Sequence, residues 1–427
     1  MQREQIVQLS EEQQNAMNTI VEEGNYFITG PAGAGKSFFV KYYITQLLKK
    51  YSKKEIVVLG STGAAAILVG GRTFHSFFGL GIGQGTHEQI VSRAVDNKRV
   101  AWRLRKARVI IIDEVSMIPG QLLAASEHVA RLVRETDQPW GGLKIICVGD
   151  FAQLPPVSQD YQKPWAFMHP VWQYSGFEPI IFDKSIRSED AYFLEHLHQI
   201  RKGTFSQTTA SFLDSLMEHE QKEFSTHLYA RKNQVAAYNA AKLNEIDESS
   251  SFFTTVYQGN ERYLEGFKRS LPIEDIIELK VGALVMIRIN DPKMRYVNGT
   301  LARVVKTEPE LLHLLTEKGQ TIELEKVKFS LLNADAEIAL TAENFPVSLA
   351  WASTIHKIQG ATIDRIRVGI ENLWEPGQAY VALSRVRKAE DIELISWDEK
   401  SLMADPMVMQ FYDEGCPVDF SDRFEIF

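Results

Sequence analysis

Five short apolar runs punctuate the first 185 residues: Tyr26–Thr29, Ile56–Gly60, Val109–Asp113, Ile145–Gly149 and Pro179–Phe182. Most are continuous rather than alternating, the pattern of strands covered on both faces. Amphipathic stretches separate them. Glu11–Glu23, for example, sets Ala16, Met17, Ile20 and Val21 on one helical face. Strands alternating with helices predict an α/β fold with a parallel sheet and helices on both sides. In such sheets ligands bind beyond the carboxyl ends of the strands. Each run here is followed directly by polar residues: Gly30–Ser37, Ser61–Thr62, Asp113–Glu114, Asp150–Gln153 and Asp183–Arg187.

The second half repeats the pattern less regularly. Runs at Leu228–Ala230, Val347–Trp351, Arg365–Ile370 and Ile392–Trp397 read as strands, with a helix over Gly377–Lys388 before the last. Between about 250 and 345 the character changes. Gly282–Ile289 and Leu301–Val305 flank an Asn298-Gly299 turn, and Thr321–Leu324 adds another strand. The expectation is a first domain over 1–185 and a second over 186–258 and 346–427, interrupted by a β-rich insertion at 259–345. Within that insertion, residues 259–281 fit no strand pattern.

At 427 residues the chain is too long for one hydrophobic core. Its 44% hydrophobic and 24% charged residues exclude disordered, collagen-like and coiled-coil classes. The longest apolar runs, such as Val109–Ile112, fall far short of the roughly 18 residues that span a membrane. The first residues show no apolar core of a signal peptide. Two cysteines, Cys147 and Cys416, point to a reducing, cytoplasmic setting. Lys+Arg 47 against Asp+Glu 55 leaves a net charge of −8, which disfavours a broad nucleic-acid-coating surface and favours a narrow track. The segment Arg72–Arg108 is Gly-rich and then basic, with Arg93, Lys98, Arg99, Arg103, Arg105, Lys106 and Arg108. It reads either as a solvated helical face or as part of such a track.

Gly30-Pro-Ala-Gly-Ala-Gly-Lys36-Ser37 fits G-x-x-x-x-G-K-[ST], directly after a predicted strand and before the apolar helix Phe38–Leu48. In that pattern the loop Gly33, Ala34, Gly35 lets backbone N–H groups close around phosphates, Lys36 reaches the β and γ oxygens, and Ser37 ligates Mg²⁺. The expected partner is a strand ending in carboxylates, and Val109-Ile-Ile-Ile-Asp113-Glu114 supplies it 77 residues after the lysine. Asp113 would hold Mg²⁺, directly or through water, and Glu114 would orient or deprotonate the attacking water. Kinases and small-molecule transferases stay open on these two motifs. A GTPase is disfavoured, because the chain has no Asn-Lys-x-Asp guanine reader. One such loop and two α/β halves imply a mobile partner domain that completes the site with an arginine, for which Arg187 and Arg385 are the candidates.

Further stretches join these: Leu9-Ser-Glu-Glu-Gln13, Ser61-Thr-Gly-Ala-Ala-Ala66, Gly71-Arg-Thr-Phe-His75-Ser, Ile112-Asp-Glu-Val-Ser-Met117 and Val148-Gly-Asp-Phe-Ala-Gln153-Leu-Pro-Pro156. Thr354-Ile-His356-Lys357-Ile-Gln359-Gly360-Ala-Thr362 and Tyr380-Val-Ala-Leu-Ser-Arg385-Val follow. In content and order the chain resembles superfamily 1 DNA helicases of the petite-integration-frequency (PIF) type, related to the RecD group. The segment before Val148, with Arg131, Arg134 and Gly141-Gly142, is similar to that family's signature stretch.

The resemblance implies two RecA-like P-loop domains that clasp ATP, with single-stranded DNA across their tops and 5′-to-3′ travel. It implies that Gln13 reads the adenine edge, although Ser10-Glu-Glu-Gln13 is also a capping box. It puts Lys36, Ser37, Asp113, Glu114, Gln153, Arg187, Gln359, Gly360 and Arg385 around the triphosphate, and Thr62, His75, Thr354, His356 and Lys357 on the DNA side. A small wedge at about 71–86, holding Phe77 and Phe78 as DNA contacts, would stand at the strand fork, and the β-rich insertion would be an SH3-like barrel. Expected partners are single-stranded and forked or tailed duplex DNA, with G-quadruplexes and RNA–DNA hybrids raised by the family. No membrane is expected, and the chain would act as a monomer. The rival reading is a DNA-stimulated ATPase that remodels protein–DNA complexes without separating strands.

Overall fold

The apolar runs of the first half form one parallel sheet. The computed structural model describes residues 9–21, 23–61, 72–81, 85–156, 165–220, 222–261, 264–291, 295–332 and 338–420. Strands β1 (Asn25–Thr29), β2 (Ile56–Gly60), β3 (Arg72–Thr73), β4 (Val109–Asp113), β5 (Lys144–Val148) and β6 (Phe177–Ile181) lie in the order β3-β2-β4-β5-β1-β6. All five adjacent pairs are parallel. Every residue of β1 is buried, which explains its unbroken apolar run. Tyr26 and Ile28 pack with Phe39 and Val40 of the helix Lys36–Leu47 on one face, while Phe27 meets Phe151 and Trp172 on the other. The last strand begins two residues earlier than its apolar run predicts. It is an edge strand, where Pro179 can pair opposite Phe27 although it lacks an N–H.

The second half has a four-stranded parallel sheet in the order β18-β7-β19-β20. It comprises β7 (Thr226–Tyr229) and, after a long β-rich excursion, β18 (Ala352–Thr354), β19 (Ile366–Ile370) and β20 (Ile392–Trp397). The excursion begins at β8 (Ser251–Thr254) and β9 (Val256–Gly259) and ends at β17 (Val347–Leu349). It is therefore wider than the expected 259–345. Its first strands pair with later ones, β8 with β10 (Ile276–Leu279) and β9 with β16 (Ile338–Asn344), which also pairs with β15 (Val327–Leu332). The stretch 259–281, expected to hold no strand, contains the helix Leu264–Ser270 and also β10, whose pairing with β8 only the fold reveals. The main sheet of the excursion runs β14-β13-β12-β11-β17, built from Leu284–Ile287 (β11), Leu301–Thr307 (β12), Leu311–Thr316 (β13) and Thr321–Glu325 (β14).

Two expectations need correcting. The run Val347–Trp351 is not one strand. Val347–Leu349 pairs antiparallel with β11, Ala352–Thr354 joins the parallel sheet, and Trp351 packs against both cores at the junction. The C-terminal part of 346–427 does not stay with the second sheet. In the helix Pro406–Asp413 and the turn after it, Val408, Phe411, Cys416 and Phe420 enter the core of the first lobe, and Phe411 stacks on Phe167 with ring centres 4.3 Å apart. The expected helix Gly377–Lys388 is shorter, Gln378–Leu383, because the side chains of Ser384 and Arg385 turn back to donate to Val381 O. Among the described residues no helix is long and apolar enough to cross a membrane.

Candidate active site

Directly after β1 the chain turns through Gly30, Gly33 and Gly35, all at positive φ, and Gly35 becomes the N-cap of the helix Lys36–Leu47. Among the described residues no side chain caps that helix, which leaves its first N–H groups free to meet an anion. Glycine is required for space as well as for conformation. A Cβ on Gly33 would lie 2.6 Å from Arg187 Cβ, and one on Gly30 would lie against the Phe182 carbonyl oxygen. Lys36 Nζ donates to Gly30 O (2.7 Å) and Pro31 O (3.0 Å). Desolvation lowers its pKa, while Asp150 and Glu114 oppose that shift. Of its two predicted roles Gln13 shows the local one, the capping box with Ser10. Its Nε2 also reaches Gly35 O at 3.4 Å.

Asp113 closes β4, and desolvation, reinforced by neighbouring Glu114, pushes its pKa up to about 7. Glu114 sits at φ 54, a left-handed conformation that costs a non-glycine residue about 1–3 kcal/mol and aims its side chain across the cleft. There Gln359 Nε2, from the second lobe, donates to Glu114 Oε2 at 3.2 Å. Gly360 lies beside it, where a Cβ would be 3.5 Å from Glu114 Oε1. Gln359 Oε1 is buried and has no hydrogen-bond partner among the described residues. Gln153 is buried, and its Nε2 approaches Asp150 Oδ2 at 3.4 Å.

Arg385 is 1% exposed, donating from Nε to Val381 O (2.7 Å) and from Nη2 to Ser384 Oγ (2.7 Å). Arg187 donates to Ser384 O. Among the described residues neither guanidinium forms an ion pair with a carboxylate. Desolvation and the charge of Arg385 press the pKa of Arg187 down. Arg187 also presses on Lys36, an accumulation of positive charge that a polyanion would relieve. The lobes also touch at the loop itself, where Ala32 N–H donates to the Tyr380 hydroxyl at 2.7 Å.

The residues expected on the DNA side fare unevenly. Thr62 and Gly71 lie outside the described residues. His75 and His356 are half-buried, and desolvation lowers the pKa of each, favouring neutral rings. Thr354 is buried and its Oγ1 accepts from Lys357 N at 3.1 Å, while the Lys357 side chain is exposed. Phe77 and Phe78 are not available as DNA contacts. They are 2% and 0% exposed, packed on each other and, for Phe78, on Trp140, so neither offers a free face to a base. The basic segment forms the helices His87–Val95 and Lys98–Lys106. Arg103 turns inward over the Phe77 ring and donates to Ser76 O at 2.6 Å, whereas Arg105 pairs with Glu135 on the surface. The signature stretch is a buttress. Trp140, Gly141 and Gly142 are all left-handed, and Arg134 holds that turn through Gly141 O and Leu104 O.

The sequence reading missed Arg201 and Tyr412. Arg201 pairs with buried Asp150 (Nη2–Oδ1 2.8 Å), and the Tyr412 hydroxyl lies 3.1 Å from the same carboxylate. No local pattern marks either residue.

A glycine loop and a carboxylate strand end in one lobe, met by Tyr380 and Gln359 of another, define a P-loop nucleotide hydrolase with a site shared between two parallel-sheet domains. The comparisons narrow that class. A model of PIF1-like helicases matches residues 8–211. Over 96% of its length the chain is 42% identical to the ATP-dependent DNA helicase Pif1 of Bdellovibrio bacteriovorus, covering 92% of that protein. Its fold matches Pif1 from a Bacteroides species in complex with ADP-AlF4 with a TM-score of 0.83, at 30% identity over 96% of this chain and 98% of that one. Against Bacteroides Pif1 bound to single-stranded DNA the TM-score is 0.66, at 30% identity over 95% and 97% of the two chains. The chain belongs to the PIF1-like helicase family.

Proposed function

We propose that this ATP-dependent DNA helicase moves 5′-to-3′ along single-stranded DNA and separates forked or tailed duplex ahead of it. The polarity follows from the family resemblance; the coupling of hydrolysis to movement is carried by the contact of Gln359 with Glu114 across the cleft, which links the second lobe to the group that would orient the attacking water. In this reading the N–H groups of Gly33–Ser37 and Lys36 hold the β- and γ-phosphates, and Gln13 faces the adenine. Gln153, Arg187 and Arg385 face the γ-phosphate and carry its charge state to the lobe angle. Opening one base-pair step takes about 1.4 kcal/mol, which a single hydrolysis cycle exceeds.

The donor set fits a divalent cation. Ser37 and Asp113 offer hard oxygen ligands, and the raised Asp113 pKa marks negative charge that the protein alone leaves poorly compensated. Ser37 and Asp113 would hold Mg²⁺, which would neutralise charge on the transferring phosphoryl group.

The antiparallel excursion at 251–349 corresponds in this reading to the family's SH3-like accessory domain, and residues near 71–86 to the wedge. Thr62, His75, Thr354, His356 and Lys357 would line the strand's path, with the protein acting as a monomer in the cytoplasm.

The test is ATP turnover with and without single-stranded DNA, followed by unwinding of duplexes with a 5′ or a 3′ tail. Only the 5′-tailed duplex should open, and Glu114→Gln should abolish opening while strand binding survives. Equal opening of the 3′-tailed duplex would overturn the polarity.

A further inference from the structure

Beyond β20 the chain leaves the second sheet and crosses back. Trp165 Nε1, in the first lobe, donates to Asp405 Oδ2 at 3.0 Å, and Asp405 caps the helix Pro406–Asp413 through Met407 N–H and Val408 N–H. With Phe411 fixed in the first core, Tyr412 is delivered to the carboxyl ends of β1 and β5. Its hydroxyl oxygen has three neighbours: Thr29 Oγ1 at 2.9 Å, Phe151 N at 2.9 Å and Asp150 Oδ1 at 3.1 Å. A phenol donates one hydrogen bond and accepts two. The assignment is therefore fixed: Phe151 N–H and Thr29 O–H donate to Tyr412, and Tyr412 donates to the Asp150 carboxylate.

The neighbours are not arbitrary. Thr29 is the residue before Gly30, where the glycine loop begins, and Asp150 opens the loop that ends at Gln153. The side chains of Thr29 and Asp150 are fully buried. Arg201, the last residue of the helix Ala191–Arg201, completes the cluster. Its Nη2 and Nε donate to the two oxygens of Asp150 at 2.8 and 3.3 Å, and its guanidinium lies 4.5 Å from the centre of the Tyr412 ring. That helix packs in the second core through Phe193, Leu197 and Ile200. One hydroxyl thus joins the two phosphate-facing loops of the first lobe, and one ion pair ties them to the second.

We propose that Tyr412 is a positioning residue for ATP hydrolysis. Through Asp150 it keeps the Gln153 loop in register with the glycine loop, and through Arg201 it makes that register depend on the second lobe. The inference rests on the assignment of Gln153 to the γ-phosphate. A raised Tyr412 pKa, caused by desolvation and by Asp150, keeps the phenol protonated as a donor.

Tyr412→Phe keeps the ring, its packing and its stacking with Arg201, and removes only the hydroxyl. The measurements are steady-state ATP turnover with saturating single-stranded DNA, KM for ATP, strand affinity and thermal melting of the full chain. Turnover should fall by about ten-fold or more, as expected when a γ-phosphate group loses its alignment, with KM and strand affinity within two-fold of wild type. Thr29→Val, which deletes the partner hydroxyl at nearly constant shape, should give the same pattern and decides the matter if Tyr412→Phe does not fold. Arg201→Lys, which keeps the charge but loses the two-pronged contact, should fall between. A folded Tyr412→Phe or Thr29→Val with wild-type kcat overturns the inference, as does lowered melting with unchanged turnover, which would mark a purely structural role. Glu114→Gln separates the two readings. If it still hydrolyses ATP, the site assignment itself fails. If it is inactive while Tyr412→Phe is normal, only the inference fails.

Discussion

Arg187 and Arg385 grip different atoms of one residue, Arg187 donating to the carbonyl oxygen of Ser384 and Arg385 to its hydroxyl. Two cations from separate segments are thereby held side by side, and among the described residues neither is in an ion pair with a carboxylate. Such an arrangement is maintained against its own repulsion, and its stability should be traded for function.

Arg385→Met tests that trade. Replacing a buried charge that has no ion-pair partner with an apolar side chain of similar length removes its desolvation cost. The nucleotide-free variant should therefore melt higher than wild type. Its ATP turnover should drop by about 10³–10⁵, the usual worth of a γ-phosphate arginine. A lower melting temperature would mean that the bonds to Val381 O and Ser384 Oγ outweigh the desolvation of the guanidinium.

The pair Arg201–Asp150 makes the opposite prediction. Arg201→Met alone strands a buried carboxylate and should destabilise the protein by about 3–5 kcal/mol. Adding Asp150→Asn should recover most of that loss, measured by urea midpoints. Arg201 and the surrounding donors hold the Asp150 pKa below its ordinary value. A carboxylate depressed in the folded state contributes stability that is complete above the unfolded pKa, about 3.9, and is lost as pH falls through the lower folded value. Wild type should therefore lose stability relative to the double variant only below about pH 4. Parallel curves through that window would contradict the assignment.

Gly377 adopts φ 81, and a Cβ there would stand 2.6 Å from Gln153 O and 2.7 Å from Ala152 O. Both obstacles are backbone atoms, so Gly377→Ala must shift the lobes apart at the Gln153 loop. Turnover should fall by up to about 100-fold, the penalty for displacing a reacting group by roughly 1 Å. Binding of a fluorescent ADP to the glycine loop should change far less. Loss of ADP binding instead would place the damage in the loop itself.

Phe78→Ala asks whether the aromatic pair serves the core or the substrate. Truncating a fully buried phenylalanine should destabilise the fold by about 3–5 kcal/mol. The folded fraction should bind single-stranded DNA as wild type does, measured by anisotropy at a temperature well below melting. Weakened binding without lost stability would restore the base-contact reading.

What the sequence disclosed follows the range of the interactions. The glycine loop and the Asp113-Glu114 strand end are local, and each requirement is met by neighbouring residues, so both were readable along with the sheet that carries them. Phe77 and Phe78 were misassigned because an aromatic run carries no label for the face it covers; the partner Trp140 stands far along the chain. The split at Trp351 was hidden because one apolar run feeds two sheets. Arg201 and Tyr412 lay beyond local reading altogether. Each is an ordinary helical residue, and they acquire meaning only from Asp150, 51 and 262 positions away. Glu114's left-handed backbone was likewise invisible, because glutamate gives no composition signal for it.

The return of the helix Pro406–Asp413 to the first lobe has a mechanical consequence. Among the described residues the second lobe is spliced into the first, suspended by one crossing before the helix Ala191–Arg201 and another after β20. A body hung from two points can swing about the line joining them, like a gate, but resists twisting about any other axis. A strand lying across both lobes would then feel a stroke of fixed direction, set by where the backbone crosses.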